Sequence, residues 1–241
     1  MSDTRHAPAL GLPRVHLRTT TSTNDRAREL ALAGAPHGTL VTAAAQTAGR
    51  GRGGRSWSAP PGSSLLASLV LRSPPRLLPL IASLAVADVA GPDARIKWPN
   101  DLVLVEGEEV RKLAGILIEG RPQEGWAVLG IGLNVALVLA ELPTELRSTA
   151  ATLGLPRSEI EPLLARLLTA LSVRLAEPAD ATLAEWRALD ALRGRRVAWA
   201  AGSGRAVGID GDGRLVVALD DGGRATLDAG EVHLAANPPG R

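Results

Sequence analysis

The 241-residue sequence predicts an α+β fold: a mixed β-sheet with helices on one side, followed by a small β-barrel. Three observations predict it. Over about the first 190 residues, short β-rich runs alternate with segments whose apolar residues recur every three or four positions. From about Arg195 the texture changes to five short apolar runs within roughly fifty residues. Those runs are joined by Gly211-Asp-Gly213 and Asp220-Asp-Gly-Gly223, which signal hairpin turns. The implied organisation is a flexible tail at residues 1–13, one large unit at 14–192 and the barrel at 193–241.

Each element follows from local chemistry. Met1 to Pro13 lacks an apolar signal core, and Pro8, Gly11 and Pro13 keep it loose. Thr20-Thr-Ser-Thr-Asn24 is a polar cap for a helix over Asp25–Ala33, which stops at Gly34. Thr39–Ala45 and Leu65–Arg72 read as strands and Leu80–Ala90 as a helix. Ala94–Trp98, Leu102–Glu106, Leu113–Glu119 and Trp126–Asn134 are short strands separated by Gly, Pro, Asn or charge. In Ser158–Glu177, the apolar residues Ile160, Leu163, Leu164, Leu167, Leu168, Leu171 and Leu175 keep helical spacing, and Ala181–Leu192 makes a further helix. The barrel strands are Val197–Ala200, Ala206–Ile209, Leu215–Leu219, Ala225–Leu227 and Val232–Leu234.

Composition narrows the function classes. Aromatics are 2% of the chain and all are Trp, so the core is built from Leu, Val, Ala and Ile. The formal charge is +2 although the pI is 9.8. With no Cys, no Tyr and two Lys, almost nothing titrates between the carboxylates and Arg, so this small charge persists until the lysines titrate at about pH 10. The high pI reflects missing buffers and gives no argument for nucleic-acid binding. Zero Cys excludes disulfides and thiolate metal sites and fits a reducing, cytoplasmic setting. The apolar run Leu77–Ala90 contains Pro79 and Asp88 and is too short to span a bilayer, so no membrane partner is expected.

Gln46-Thr-Ala-Gly-Arg-Gly-Arg-Gly-Gly-Arg-Ser-Trp57 packs four glycines and three arginines between Gly49 and Arg55. Glycine permits close backbone approach, and guanidinium forks match carboxylate and phosphate. The segment suits closing around an anion. Gly49-x-Gly51-x-x-Gly54 also fits a dinucleotide fingerprint, and Gly49-x4-Gly54-Arg55-Ser56 is one residue from a Walker A loop. Both need a helix to start at the last glycine, and Pro60-Pro61-Gly62 prevents one. An Arg-Gly nucleic-acid tract would run on as low complexity, whereas this one ends after seven residues between two strands.

The 27 basic residues include only two lysines, Lys97 and Lys112. Arg fills the other basic positions, which leaves Lys where a compact ammonium is needed. Lys97-Trp-Pro-Asn-Asp101 brings an ammonium, an amide and a carboxylate to one rim, a set suited to phosphate and hydrated Mg²⁺. Gly130-Ile-Gly-Leu-Asn134 puts one amide at the end of an apolar strand, to read a base edge or to satisfy a turn.

Taken in order, five strings resemble the catalytic domain of the biotin–protein ligases. They are Ser22-Thr-Asn24, Gln46-x-Ala-Gly-Arg-Gly-Arg-x-Gly-Arg-x-Trp57, Lys97-Trp-Pro-Asn-Asp101, Lys112-x-Ala-Gly-Ile-Leu-x-Glu119 and Gly130-x-Gly-x-Asn134. The resemblance extends to the C-terminus, where the barrel ending in Gly230-Glu-Val232 is similar to the family's SH3-like domain. It implies a two-step ligase. ATP, entering with Mg²⁺, and biotin give biotinyl-5′-AMP, and the biotinyl group passes to a lysine of a biotin carboxyl carrier domain of acetyl-CoA or a related carboxylase. No metal-ligating set in the protein is implied.

By the same resemblance, Ser22, Thr23, Asn24 and Gln46 bind the ureido end of biotin, and Arg50, Gly51 and Arg52 belong to a loop that orders over biotin and adenylate. Lys112 meets the reacting carboxylate and phosphate oxygens, and Arg52 and Asp101 join it in catalysis. Arg55, Trp57, Lys97 and Asn100 face ATP or adenylate, and Asn134 meets the adenine. Two departures stand out. Leu65-Leu66 replaces an aromatic common in the family, and only about twenty residues precede Ser22, too few for the helix-turn-helix of repressor-type members. The expectation is the short form with no DNA partner, and a homodimer stays open. The rivals are a lipoate or octanoate ligase or transferase of the same fold, which lacks such a loop, and an Arg-Gly nucleic-acid module. The latter predicts exposed aromatic stacking residues, and the chain has no Phe or Tyr.

Overall fold

In the computed structural model, which describes residues 10–121, 124–228, 230 and 232–235, the chain builds two sheets. The larger comprises β1 (Arg14–Thr20), β2 (Leu40–Gln46), β3 (Ser64–Arg72), β4 (Ala94–Lys97), β5 (Asp101–Glu106), β6 (Glu109–Arg121) and β7 (Trp126–Asn134). Their spatial order is β1-β2-β3-β7-β6-β5-β4. Only β1 and β2 pair in parallel, and helix α1 (Thr23–Leu32) is the crossover between them. The other helices are α2 (Leu78–Ala90), a single turn α3 (Thr144–Arg147), α4 (Ile160–Leu175) and α5 (Ala179–Ala188).

Strand periodicity sorts the two faces. Leu65, Ala67, Leu69 and Leu71 of β3 point into the main core with Leu129, Ile131 and Leu133 of β7. The same cluster takes in Leu80 and Leu84 of α2, Leu163 and Leu167 of α4, and Trp186 of α5. Helix α2 is apolar all round because α4 and α5 cover what the sheet leaves bare. Helix α1 lies on the opposite face, where Ala27 and Ala31 pack on Val41, Val70, Trp126 and Val128. Helices therefore cover both faces, which corrects the expectation of one side. The stripe that α1 buries is narrow, and its period carries no sign of which face it meets.

Other boundaries moved for local reasons. Strand β1 was absent from the expected elements; it starts where the predicted tail ends, and residues 1–9 of that tail lie outside the described residues. The expected helix over Ala181–Leu192 ends early, because Leu189–Ala191 leave it to satisfy the edge strand β4: Ile96 N donates to Leu189 O at 2.8 Å and Ala191 N to Ile96 O at 2.9 Å. Among the described residues no helix is long and apolar enough to cross a membrane.

The smaller sheet holds β8 (Arg196–Trp199), β9 (Gly202–Ile209), β10 (Leu215–Ala218), β11 (Arg224–Leu227) and β12 (His233–Leu234), all antiparallel, in the order β11-β10-β9-β8-β12. Its β9–β10 turn docks on the larger unit. Trp98 Nε1 donates to Gly213 O at 3.0 Å, and Arg76 pairs with Asp212 at 3.0 Å. Gly213 has φ +79°, and a Cβ there would lie 2.9 Å from Leu80, so only glycine lets the turn sit this close.

Candidate functional site

A cavity of about 120 Å³ opens on the α1 face of the large sheet, at the N-terminal end of α1. Alternation along the strands builds its floor from Gly130 and Gly132 of β7, Gly115 and Leu117 of β6, and Leu66 of β3. The glycines are required by close approach. A Cβ on Gly130 would lie 2.0 Å from Asn24 Oδ1, one on Gly132 2.6 Å from the Trp57 ring, and one on Gly115 2.9 Å from the same ring.

One end of the cavity is a buried polar network. Ser22 precedes α1 with extended backbone and makes no side-chain capping bond. Gln46 Oε1 accepts from Thr23 N at 2.8 Å and Thr23 Oγ1 at 3.1 Å. Ser68 Oγ lies 2.8 Å from Thr23 Oγ1 and donates to Asn24 Oδ1 at 2.6 Å. Asn24 Nδ2 donates to Glu119 Oε2 at 2.9 Å and to Leu117 O at 3.3 Å. Apart from the Glu119–Arg50 pair that braces Asn24, the donors and acceptors that converge here are hydroxyls and amides with no ammonium among them, which suits a polar but uncharged group.

The other end is cationic. Lys97 and Asp101 pair across β4 and β5, and Asp101 faces Gly115, so all three sit on the cavity side. Lys112 reaches that side through a bulge: Leu102 pairs with Ala114 but Val103 pairs with Lys112, leaving Leu113 as an extra residue. Without it, Lys112 would share the core face with Ala114, Ile116 and Ile118. Its Nζ meets Asp101 Oδ1 at 2.7 Å. Asn100 Nδ2 donates to Ile116 O at 2.5 Å, and Asn100 Oδ1 accepts from Arg52 Nη1 at 3.3 Å.

The Gly/Arg segment is a hairpin over this cavity. Gly51 N donates to Arg55 O at 2.7 Å, Arg55 N to Arg52 O at 3.2 Å and Trp57 N to Gly49 O at 2.8 Å. Gly53 and Gly54 turn with φ of +63° and +78°. Arg50 Nη2 bridges Asp25 Oδ1 and Glu119 Oε2, each at 2.7 Å. The Trp57 ring lies on the glycine floor, its centroid 5.6 Å from Lys112 Nζ. That placement keeps the cavity below the roughly 300 Å³ of a drug-sized site. Trp57 Nε1 and Arg50 Nε are buried donors with no acceptor among the described residues. Such groups are costly unless a ligand supplies the acceptor.

All the site residues singled out from the sequence line this one cavity except Asn134. Asn134 is buried, its Nδ2 donates to Ala151 O at 2.9 Å and Lys112 O at 3.4 Å, and its Oδ1 accepts from Ser64 at 3.3 Å. Its amide braces the Lys112 strand, and Asn134 is absent from the lining of this cavity. Sequence reasoning missed Ser68 and Asp25, and it quoted Glu119 within a string but gave it no role. A serine inside the apolar run Leu65–Leu71 was the available signal for the first. It also missed Gly230, Val232 and His233 of the smaller sheet, which reach the cavity rim, while Glu231 of the quoted Gly230-Glu-Val232 string lies outside the described residues. Among the described residues no three His, Cys, Asp or Glu side chains converge as metal ligands.

Comparison with known proteins agrees with this geometry. Residues 16–135 match the biotin/lipoate A/B protein ligase family, and residues 194–234 match the biotin protein ligase C-terminal domain. The chain is 35% identical over 220 residues to the biotin–[acetyl-CoA-carboxylase] ligase of Mycobacterium tuberculosis, covering 82% of this chain and 79% of that protein. It is 41% identical over 145 residues to the bifunctional ligase/repressor BirA of Bacillus subtilis, covering 55% of this chain and 43% of that relative, so the match spans under half of the relative's length. Among solved structures, the biotin protein ligase from Aquifex aeolicus in complex with biotin and ATP superposes with a TM-score of 0.77 at 26% identity, covering 93% of this chain and 99% of that chain.

Proposed function

The chain belongs to the biotin–protein ligase family, and from that premise we propose that it activates biotin with ATP and transfers the biotinyl group to a carrier-protein lysine. In the first step a carboxylate oxygen of biotin attacks the α-phosphorus of ATP, forming biotinyl-5′-AMP and releasing pyrophosphate. In the second, a neutral lysine amine of a biotin carboxyl carrier domain attacks the acyl carbon. An amide forms, AMP leaves, and the amine's proton passes to solvent.

The observation that carries this reading is the division of one cavity into an end lined by hydroxyl and amide groups and an end lined by Lys97, Lys112 and Arg52, joined by a floor of glycines. The ureido group of biotin is polar and uncharged, and it fits the Ser22, Thr23, Asn24 and Gln46 end. The apolar rings and chain then cross the glycines and Leu66. The carboxylate arrives at Lys112, which exchanges its contact with Asp101 for the reacting oxygens. Two anions must meet there, and Lys112, Lys97 and Arg52 offset their repulsion. Asn100 holds Arg52 toward the phosphates, and Arg55 flanks them. The buried N–H groups of Arg50 and Trp57 become donors to ligand once the Trp57 ring leaves the floor. Mg²⁺ enters on the ATP phosphates as part of the substrate, and its role there is to neutralise phosphate charge.

The test is pyrophosphate exchange into ATP. Exchange that depends on biotin supports the reading. Exchange that responds to lipoate or octanoate and not to biotin overturns it in favour of the sister activity.

A further inference from the structure

Glu119 holds none of the roles assigned above, yet two parts of the site meet on it. It follows Leu117 by two residues on β6 and so points to the same face. Its Oε2 accepts from Asn24 Nδ2 at 2.9 Å and from Arg50 Nη2 at 2.7 Å. One carboxylate oxygen therefore ties the start of α1 to the Gly/Arg hairpin. A carboxylate only accepts hydrogen bonds, so it fixes which way the Asn24 amide faces. Both N–H groups are used, on Glu119 and Leu117 O, and Ser68 takes one lone pair of Oδ1. What Asn24 has left to offer is the second lone pair of that oxygen. An acceptor is what an N–H of the ureido group needs; the flipped amide would oppose donor to donor.

The hairpin side is as definite. Arg50 Nη2 is shared between Glu119 and Asp25, carboxylates from different elements. The pair holds the hairpin against the body of the protein, with the guanidinium Nε buried at the cavity. Resting on the functional reading above, we propose that Glu119 is a positioning residue that couples recognition at Asn24 to closure of the Gly/Arg hairpin. It orients the acceptor shown to biotin and, through Arg50, retains the adenylate beneath the loop.

The test uses the full chain carrying Glu119→Ala, Glu119→Gln, Asn24→Ala and the Asn24→Ala/Glu119→Ala pair. Pyrophosphate exchange is followed against biotin and against ATP, release of labelled adenylate is timed after dilution, and melting is recorded in parallel. Glu119→Ala should raise the KM for biotin about tenfold or more, the scale of losing one hydrogen bond to a charged group, with the KM for ATP unchanged. The double variant should be no worse toward biotin than Asn24→Ala alone. Glu119→Gln keeps an acceptor for Asn24 but loses the charge that grips Arg50. It should leave the biotin KM near the parent's and release adenylate several-fold faster. Parental behaviour of both Glu119 variants, additive effects in the cycle, or equal rises in both KM values with a lowered melt would overturn the coupling. If Glu119→Ala does not fold, adenylate release at the parental rate from Glu119→Gln overturns it alone. A parent protein without biotin-dependent exchange refutes the underlying function instead, so the two failures are distinguishable.

Discussion

Gly130→Ala is the sharpest single perturbation of the proposed biotin end. The new Cβ would sit 2.0 Å from Asn24 Oδ1, 2.8 Å from Cγ and 3.0 Å from Nδ2. Ordinary contact begins at about 3.5 Å, so the carboxamide oxygen must retreat by about 1.5 Å. Its bonds to Ser68, at 2.6 Å, and through Nδ2 to Glu119, at 2.9 Å, then stretch beyond hydrogen-bonding range. The strand cannot yield instead, because β7 is paired along its length with both β3 and β6. A buried polar group left unsatisfied costs roughly 1–3 kcal/mol. At about 2 kcal/mol the melting temperature falls by roughly 4–8 °C for a chain of this size. The same displacement removes the acceptor offered to biotin, so the KM for biotin should rise about tenfold to a hundredfold while that for ATP holds. Pyrophosphate exchange at varied biotin and calorimetry measure the two effects. Gly132→Ala is the matched control: its Cβ meets the Trp57 ring 2.6 Å away and not Asn24, so it should displace Trp57 without loosening the Asn24 network. Parental biotin KM and melting in Gly130→Ala would refute the assignment of Asn24 to the substrate.

Three further outcomes follow from the geometry. Lys112→Arg keeps the charge, but it replaces the compact ammonium that meets Asp101 Oδ1 at 2.7 Å and lies 5.6 Å from the Trp57 ring centroid with a larger planar fork. Adenylate formation should fall by about 10²-fold or more at an unchanged melting temperature, and near-parent activity would make charge alone sufficient. Trp98→Phe removes the donor to Gly213 O at 3.0 Å, loosening the small sheet from the rim that carries Lys97 and Asn100; steady-state kinetics should show a several-fold rise in the KM for ATP and none for biotin. Asp190→Asn should melt above the parent at pH 7. Burial holds the Asp190 carboxyl above its usual range and Oδ2 has no partner, so the folded state keeps its proton more tightly and stability falls as pH rises from about 3.8 through the folded-state value. Asn avoids that loss, so the gap should close as the pH falls below that window, and an equal gap at every pH refutes the cause.

The strings that line the cavity were legible because each couples unusual residue types to a turn or strand end. Gly49 to Arg55 cannot build a core, and two lysines among 27 basic residues draw attention to themselves. The hairpin series of the small sheet was equally plain, since Asp and Gly recur at the β9–β10 and β10–β11 reversals. What the sequence did not carry was facing. Nothing in Lys112-Leu-Ala-Gly marks Leu113 as the bulged residue, because the bulge exists only against the register of β5. The side on which α1 packs depends on a crossover between two parallel strands, one of them unrecognised. Asn134 looked available because a strand-end amide is open in sequence, yet Ala151, seventeen residues on, consumes it.

Facing is also what lets so small a chain carry a core and a site on one sheet. Strand β7 reads Trp126-Ala-Val-Leu-Gly-Ile-Gly-Leu-Asn134. Ala127, Leu129, Ile131 and Leu133 serve the core. On the other face the strand first gives Trp126 and Val128 to α1, then thins to Gly130 and Gly132 where Asn24 and Trp57 press in. The period of two writes both functions into nine residues, so a slip of one register would put glycines in the core and leucines on the cavity floor. Strand β6 cannot follow that rule throughout, since Ala114 and Lys112 share a parity while one is buried in the core and the other lines the cavity. The extra residue at Leu113 resolves the conflict and explains why the lysine and the glycine three residues beyond it face the same cavity.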